Sequence, residues 1–149
     1  MAKVTATAIY QYGDPIFGRI TLPKKTASEA IEIGDFVMHD AAGAITLMAA
    51  VTDDAVFMGI SNTRSDDADG PQQIECLLQC VVEVPAVSSQ YYFGVGLKTD
   101  HTNQELIDDA GANTIAWVWE SDTGAAAESV KVLIDVLALG ASKTLEQHA

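Results

Sequence analysis

Several groups of side chains in this sequence could do chemistry. Residues 66–70, Asp-Asp-Ala-Asp-Gly, have the acidic density of a calcium loop. With Gly70 on the glycine position, Ser65, Asp67 and Asp69 take the first three ligand places. Cys76 then stands where the bidentate acid belongs and Glu75 falls one residue early, so the plain reading is a solvated acidic loop. His39, His101 and His148 are far apart and none has a ligand partner at metal spacing. Cys76 and Cys80 lack the second pair of a structural zinc site. On one strand they would face the same way but stand roughly 13 Å apart, too far for a mutual disulfide. They read as small, reduced core hydrophobes, which suits a cytosolic origin. Ser88 and Ser89 sit in no nucleophile elbow. Gly94 and Gly96 lack the third glycine of a dinucleotide loop and read as bends in a strand. No catalytic residue, metal or cofactor is expected, and the chain reads as a non-enzyme.

The aromatic residues are the other candidates. Tyr91 with Phe93, and Trp117 with Trp119, share faces if their segments are strands. Core packing is the ordinary reading, with an oligomer seam or the lining of a ligand cup as the functional one.

The elements that carry these residues read as short strands and turns. Residues 31–61 give three strands, with a hairpin turn at Asp40 to Gly43, an acidic turn at residues 52–54, and Gly59 weakening the third strand. Residues 16–22 form a strand stopped by Pro23. Residues 74–84, apolar at nearly every central position, form one strand covered on both faces and ended by Pro85. Residues 115–119 form another, a Gly/Ala loop follows Ser121, and residues 129–139 close the fold with Val130, Val132, Ile134 and Val136 on one face. Residues 61–73 read as an exposed, mobile loop. Residues 102–111 could be a short helix. Strand is favoured because residues 34–61 faintly repeat in residues 95–120: strand, turn, strand, acidic turn, compact apolar strand. The sum is all-β: a single small barrel or sandwich of about eight short strands, with at most one or two helical turns. Its parts are an extended arm at 1–15, a β domain at 16–139 and a polar tail at 140–149.

At 149 residues and 48% hydrophobic, the chain can bury a real core. No apolar run reaches the roughly 18 residues of a membrane span, and the first ten residues lack the apolar core of a signal peptide. There are 8 basic and 21 acidic residues, a formal net charge of −13. Residues 1–51 hold four of the basic and five of the acidic groups, so nearly all of the excess lies beyond them. Such a surface repels phosphate backbones, and direct nucleic-acid binding is not expected. The near-neutral front is where a partner could dock, through Lys3, Tyr10, Tyr12, Arg19, Lys24 and Lys25.

The run GDFVMHDAAGAITL, then VFMGIS, ECLLQCVVEVP, a Gly-Val-Gly strand, IAWVWESDTG and VKVLIDVLAL resembles the decoration, or cement, proteins of tailed-phage capsids. The resemblance covers residues 31–139. It implies a β-barrel homotrimer, made in the host cytoplasm, that sits on the outer capsid surface of the virion and bridges neighbouring copies of the major capsid protein. It implies no small-molecule substrate and no membrane partner. The rival readings are a small ligand-binding barrel lined by Tyr91, Phe93, Trp117 and Trp119, a tail or baseplate structural protein, and a hydrolase without a recognisable nucleophile.

Overall fold

The computed structural model describes residues 3–11, 18–108 and 113–137. The fold is all-β. Its strands are β1 (Ala8–Gln11), β2 (Arg19–Pro23), β3 (Phe36–His39), β4 (Ile45–Leu47), β5 (Phe57–Ser61), β6 (Gln73–Leu77), β7 (Gln79–Tyr91), β8 (Gly96–Asp100), β9 (Glu105–Asp108), β10 (Ala116–Val118) and β11 (Asp122–Asp135). One 3-10 turn, Val51–Val56, forms where the acidic turn was expected, and Asp53 accepts from the Ala49 and Ala50 N–H groups there. Glu105–Asp108 is strand, as favoured. Residues 109–112 and the tail 140–149 lie outside the described residues.

The strands form two units of five with the same topology. One sheet runs β2-β6-β5-β3-β4. The other runs β7-β11-β10-β8-β9, with β1 added beside β7. The second unit closes into a barrel through a parallel pairing of β7 and β9 at Ala86↔Leu106. The first closes at the corresponding place, by a parallel bridge Lys24↔Ile45 and a hydrogen bond from the Lys25 N–H to the Ile45 carbonyl (2.8 Å). The registers agree along the sheets. Pro23↔Gln73 answers Pro85↔Ser129, Ile60↔Leu77 answers Trp117↔Leu133, and Val37↔Gly59 answers Leu97↔Ala116. The faint sequence repeat is thus part of a larger structural one, residues 19–77 and 81–135.

Side chains follow the same plan. Ile31, Val37, Ile45, Ile74 and Cys76 fill the first unit. Tyr91, Leu97, Leu106, Val130 and Val132 fill the second, in a cluster continuous with Phe36, Met48, Phe57 and Ile60 of the first. The larger cluster thus draws on both units, while the smaller lies within the first. Cys76 and Cys80 belong to different strands and different clusters, because the chain changes sheets at Leu78. Both are free thiols, as expected, and burial pushes each up to about 12.

Four readings of the elements are corrected. The 74–84 run is two strands, turned at Leu78, whose N–H donates to the Gly18 carbonyl (2.7 Å). Pro85 does not end β7. The Thr7 N–H donates to the Glu83 carbonyl (2.8 Å), so β7 faces β1 there. Pro85, two residues on, turns its nitrogen to the same edge just past the last β1 pair, where no ladder donor is needed. The Gly/Ala stretch after Ser121 belongs to β11, with register shifts between Asp122 and Ser129. The acidic loop is exposed at Asp66, Asp67 and Asp69, but Ser65 is buried and bridged to Ile31.

Each unit turns from its second to its third strand on an aspartate. Asp40 Oδ1 accepts from the Ala42 and Ala44 N–H groups, and Asp100 Oδ1 accepts from Thr102 and Asn103. The Ala44 hydrogen bond holds Asp40 below its usual pKa of 3.8, and the Asn103 side chain does the same for Asp100. A carboxylate with a depressed folded pKa adds stability above its unfolded value and gives it up as pH falls through the folded one. Stability should therefore drop below about pH 4. The D40N/D100N variant keeps both turns but removes the titration, and urea midpoints from pH 6 to pH 2 should fall less steeply for it. An unchanged acid slope would remove these turns from the account.

Candidate interaction surface

The front-section residues are mostly engaged inside the fold. Lys24 is buried, and its ammonium donates to Ser65 Oγ (2.7 Å) and the Ala27 carbonyl (2.9 Å). Its ammonium is held inside the fold and not presented at the surface, unlike the exposed cation expected of a docking residue. Lys3 pairs with the buried Asp35 and with Glu32, each at 2.9 Å. Arg19 lies 3.5 Å from Glu75, and the ring of Tyr10, half exposed on β1, sits under Lys131 Nζ at 5.1 Å. Lys25 is exposed and Tyr12 lies outside the described residues.

The described part of the expected arm, residues 3–11, contributes to the core as well as to the surface. Val4 and Ala6 are buried. Phe36 N–H donates to the Val4 carbonyl (3.0 Å) and Ala6 N–H to the Gly34 carbonyl (2.8 Å), after which β1 pairs along β7. Residues 3–11 are a strap from the first unit to the second. Deleting residues 2–12 would remove core as well as surface.

The four aromatics do not line one cup. Tyr91 points inward, its hydroxyl donating to the Val87 carbonyl, and burial, with Asp108 and Glu105 nearby, pushes its pKa up to about 12. Trp117 packs partly against the core. β7 ends at Tyr91, so Phe93 shares no strand face with it. Instead Phe93 and Trp119 meet outside, ring centroids 6.2 Å apart. Around them Tyr92, Phe93, Val95 and Trp119 are 53%, 68%, 37% and 38% exposed.

This tip is built on two hydrogen-bonded turns. Val95 N–H donates to the Tyr92 carbonyl (3.1 Å), Gly94 N–H to Val118 (2.9 Å) and Val118 N–H to Val95 (2.9 Å). Phe93 N–H donates to Ser121 Oγ (2.8 Å), and the Tyr92 hydroxyl to Gln90 Oε1 (3.0 Å). The first unit repeats the backbone pattern with other side chains: Asp35 N–H to Glu32, Gly34 N–H to Ser61, and Ser61 N–H to Asp35. Gly34 and Gly94 both hold positive φ, 98° and 85°. So the fold requires the glycine. It does not require the aromatics, because Glu32, Ile33, Asp35 and Asn62 stand in the first unit where Tyr92, Phe93, Val95 and Trp119 stand in the second. Phe93 and Trp119 were singled out in the sequence, but in separate pairs, with Tyr91 and with Trp117, and with core packing as the ordinary reading. Tyr92 and Val95 were not, because they become neighbours of Trp119 only through this turn pairing.

Among the described residues, no three His, Cys, Asp or Glu side chains converge as a metal site would require, and no helix is long and apolar enough to cross a membrane. No known family model matches the chain, and no curated protein is detectably similar to it.

Proposed function

We propose that this chain is a structural protein of a phage particle, docking as a homotrimer on the outside of an icosahedral head and bridging neighbouring major capsid subunits. The observation that carries the reading is the aromatic tip, a preformed apolar contact on an otherwise strongly acidic body. The order of strands and turns in residues 31–139 resembles capsid cement proteins and supports the same reading. A trimer presents three tips at once, so contacts too small to hold singly gain through effective concentration. The acidic remainder keeps crowded neighbouring copies apart on the shell. The role is mechanical: added contact area across subunit boundaries opposes their separation.

Light scattering on the purified chain should give a mass about three times 15.8 kDa. Heads assembled without the chain should bind it to saturation and then resist thermal disruption at a higher temperature. A monomer that leaves the disruption temperature unchanged would contradict the proposal.

A further inference from the structure

We infer that the tip formed by Tyr92, Phe93, Val95 and Trp119 is the docking contact, and that its occupant is a different protein presenting an apolar socket ringed by basic side chains. The inference rests on the shell-binding reading and names the chemistry of the face it must meet. Three observations carry it.

The first is an internal control. The same turn exists twice in the molecule with the same three backbone hydrogen bonds, and only one copy carries exposed aromatic rings. Folding does not account for the difference, since the other unit makes the turn without them. Exposed aromatics held on a fixed backbone lose little freedom on binding, which is the property of anchor residues at protein interfaces.

The second is charge. Residues 79–135 hold nine carboxylates and two lysines, and Glu120 and Asp122 follow Trp119 directly on exposed positions. One of the two lysines, Lys131, already lies 3.4 Å from Glu120. Two tips brought face to face would set these acidic rims within a Debye length, about 8 Å at physiological salt, and repel. A rim of Lys and Arg on the partner meets the same field favourably. Anionic lipid surfaces are opposed for the same reason that a second copy is.

The third is size. Four side chains form a small contact beside the roughly 800 Å² per partner of a standard stable interface. A tip of this size suits repeated engagement of an array better than a lone one-to-one complex.

The test uses the full chain, heads assembled without it, and the variants F93S/W119S and I33S, the latter altering the corresponding turn of the first unit. Circular dichroism and the trimer mass should match wild type in both. F93S/W119S should bind the heads at least about 100-fold more weakly, and I33S within about twofold of wild type. Raising salt from 50 to 500 mM should weaken wild-type binding about tenfold. Equal binding by F93S/W119S would overturn the inference and leave the shell-binding reading standing. No binding by wild type would overturn both. Salt-independent binding, an oligomer that F93S/W119S dissolves, or wild-type binding to phosphatidylglycerol vesicles that this variant loses would each overturn the inferred occupant.

Discussion

G59A should be the most damaging single substitution in the first unit, costing about 2–5 kcal/mol. Gly59 holds φ at 93° in the middle of β5, where the β3 register slips between Val37 and Met38. A Cβ there would stand 2.1 Å from the Leu77 carbonyl oxygen and 3.4 Å from Val136 Cγ2. The left-handed backbone costs an alanine about 1–2 kcal/mol, and the clash adds about 1–3 more. Relief would require Leu77 to move, and Leu77 is the β6 residue that pairs with Ile60. The sequence reading of Gly59 as a mere weak point in a strand missed this close approach. At roughly 2–4 °C per kcal/mol for a chain of this size, the melting temperature should fall by about 4–20 °C. G43A is the control: Gly43 also has positive φ, 81°, but nothing lies within 4 Å of its Cβ position, so it should cost only about 1 kcal/mol. Similar losses for the two variants would contradict the packing described around Gly59.

The second large effect is expected at the strap. Asp35 is fully buried and accepts from Lys3 Nζ (2.9 Å), Thr5 Oγ1 (2.6 Å) and the Glu32 N–H (2.8 Å). K3M removes the cation and leaves the carboxylate inside without its charge partner, at a cost of about 3 kcal/mol. The double variant K3M/D35L should recover part of that loss, giving a coupling of about 1–2 kcal/mol in a double-mutant cycle. Burial alone would pull the Lys3 ammonium down, but hydrogen bonds to Glu32 and Asp35 outweigh it and raise the pKa above 10.5. The wild-type contribution is therefore complete below about pH 10.5 and lost as pH climbs through the folded value. Urea unfolding of the four variants at pH 7 measures the coupling. Additive losses would mean that the pair does not hold residues 3–7 against the first unit.

What could be read from the sequence follows from which interactions are local. The β3–β4 hairpin was legible because Asp40 to Gly43 specify the turn by themselves. The face of β11 was legible because Val130, Val132 and Ile134 alternate with half-buried neighbours and are buried, as is Val136 just past the strand end. Pro85 misled because a proline inside a strand is tolerated or not according to which edge its nitrogen meets, and that edge is set by β1, about 75 residues away. Lys24 looked like a free surface cation because its Ser65 partner comes from a loop 41 positions on. The pairing of Phe93 with Trp119 was invisible for the same reason, although each residue stood out as a candidate. The repeat was faint because the two units share a register and a few turn residues, while nearly every side chain differs.

The most direct test of the docking account is cryo-electron microscopy of heads assembled without this chain and then saturated with it. The account predicts ordered density for the chain on the outer surface, bridging adjacent capsid subunits, with the turn at Tyr92 to Val95 and Trp119 seated against the shell beside basic side chains. Bare heads, or bound density with that tip turned to solvent, would contradict it.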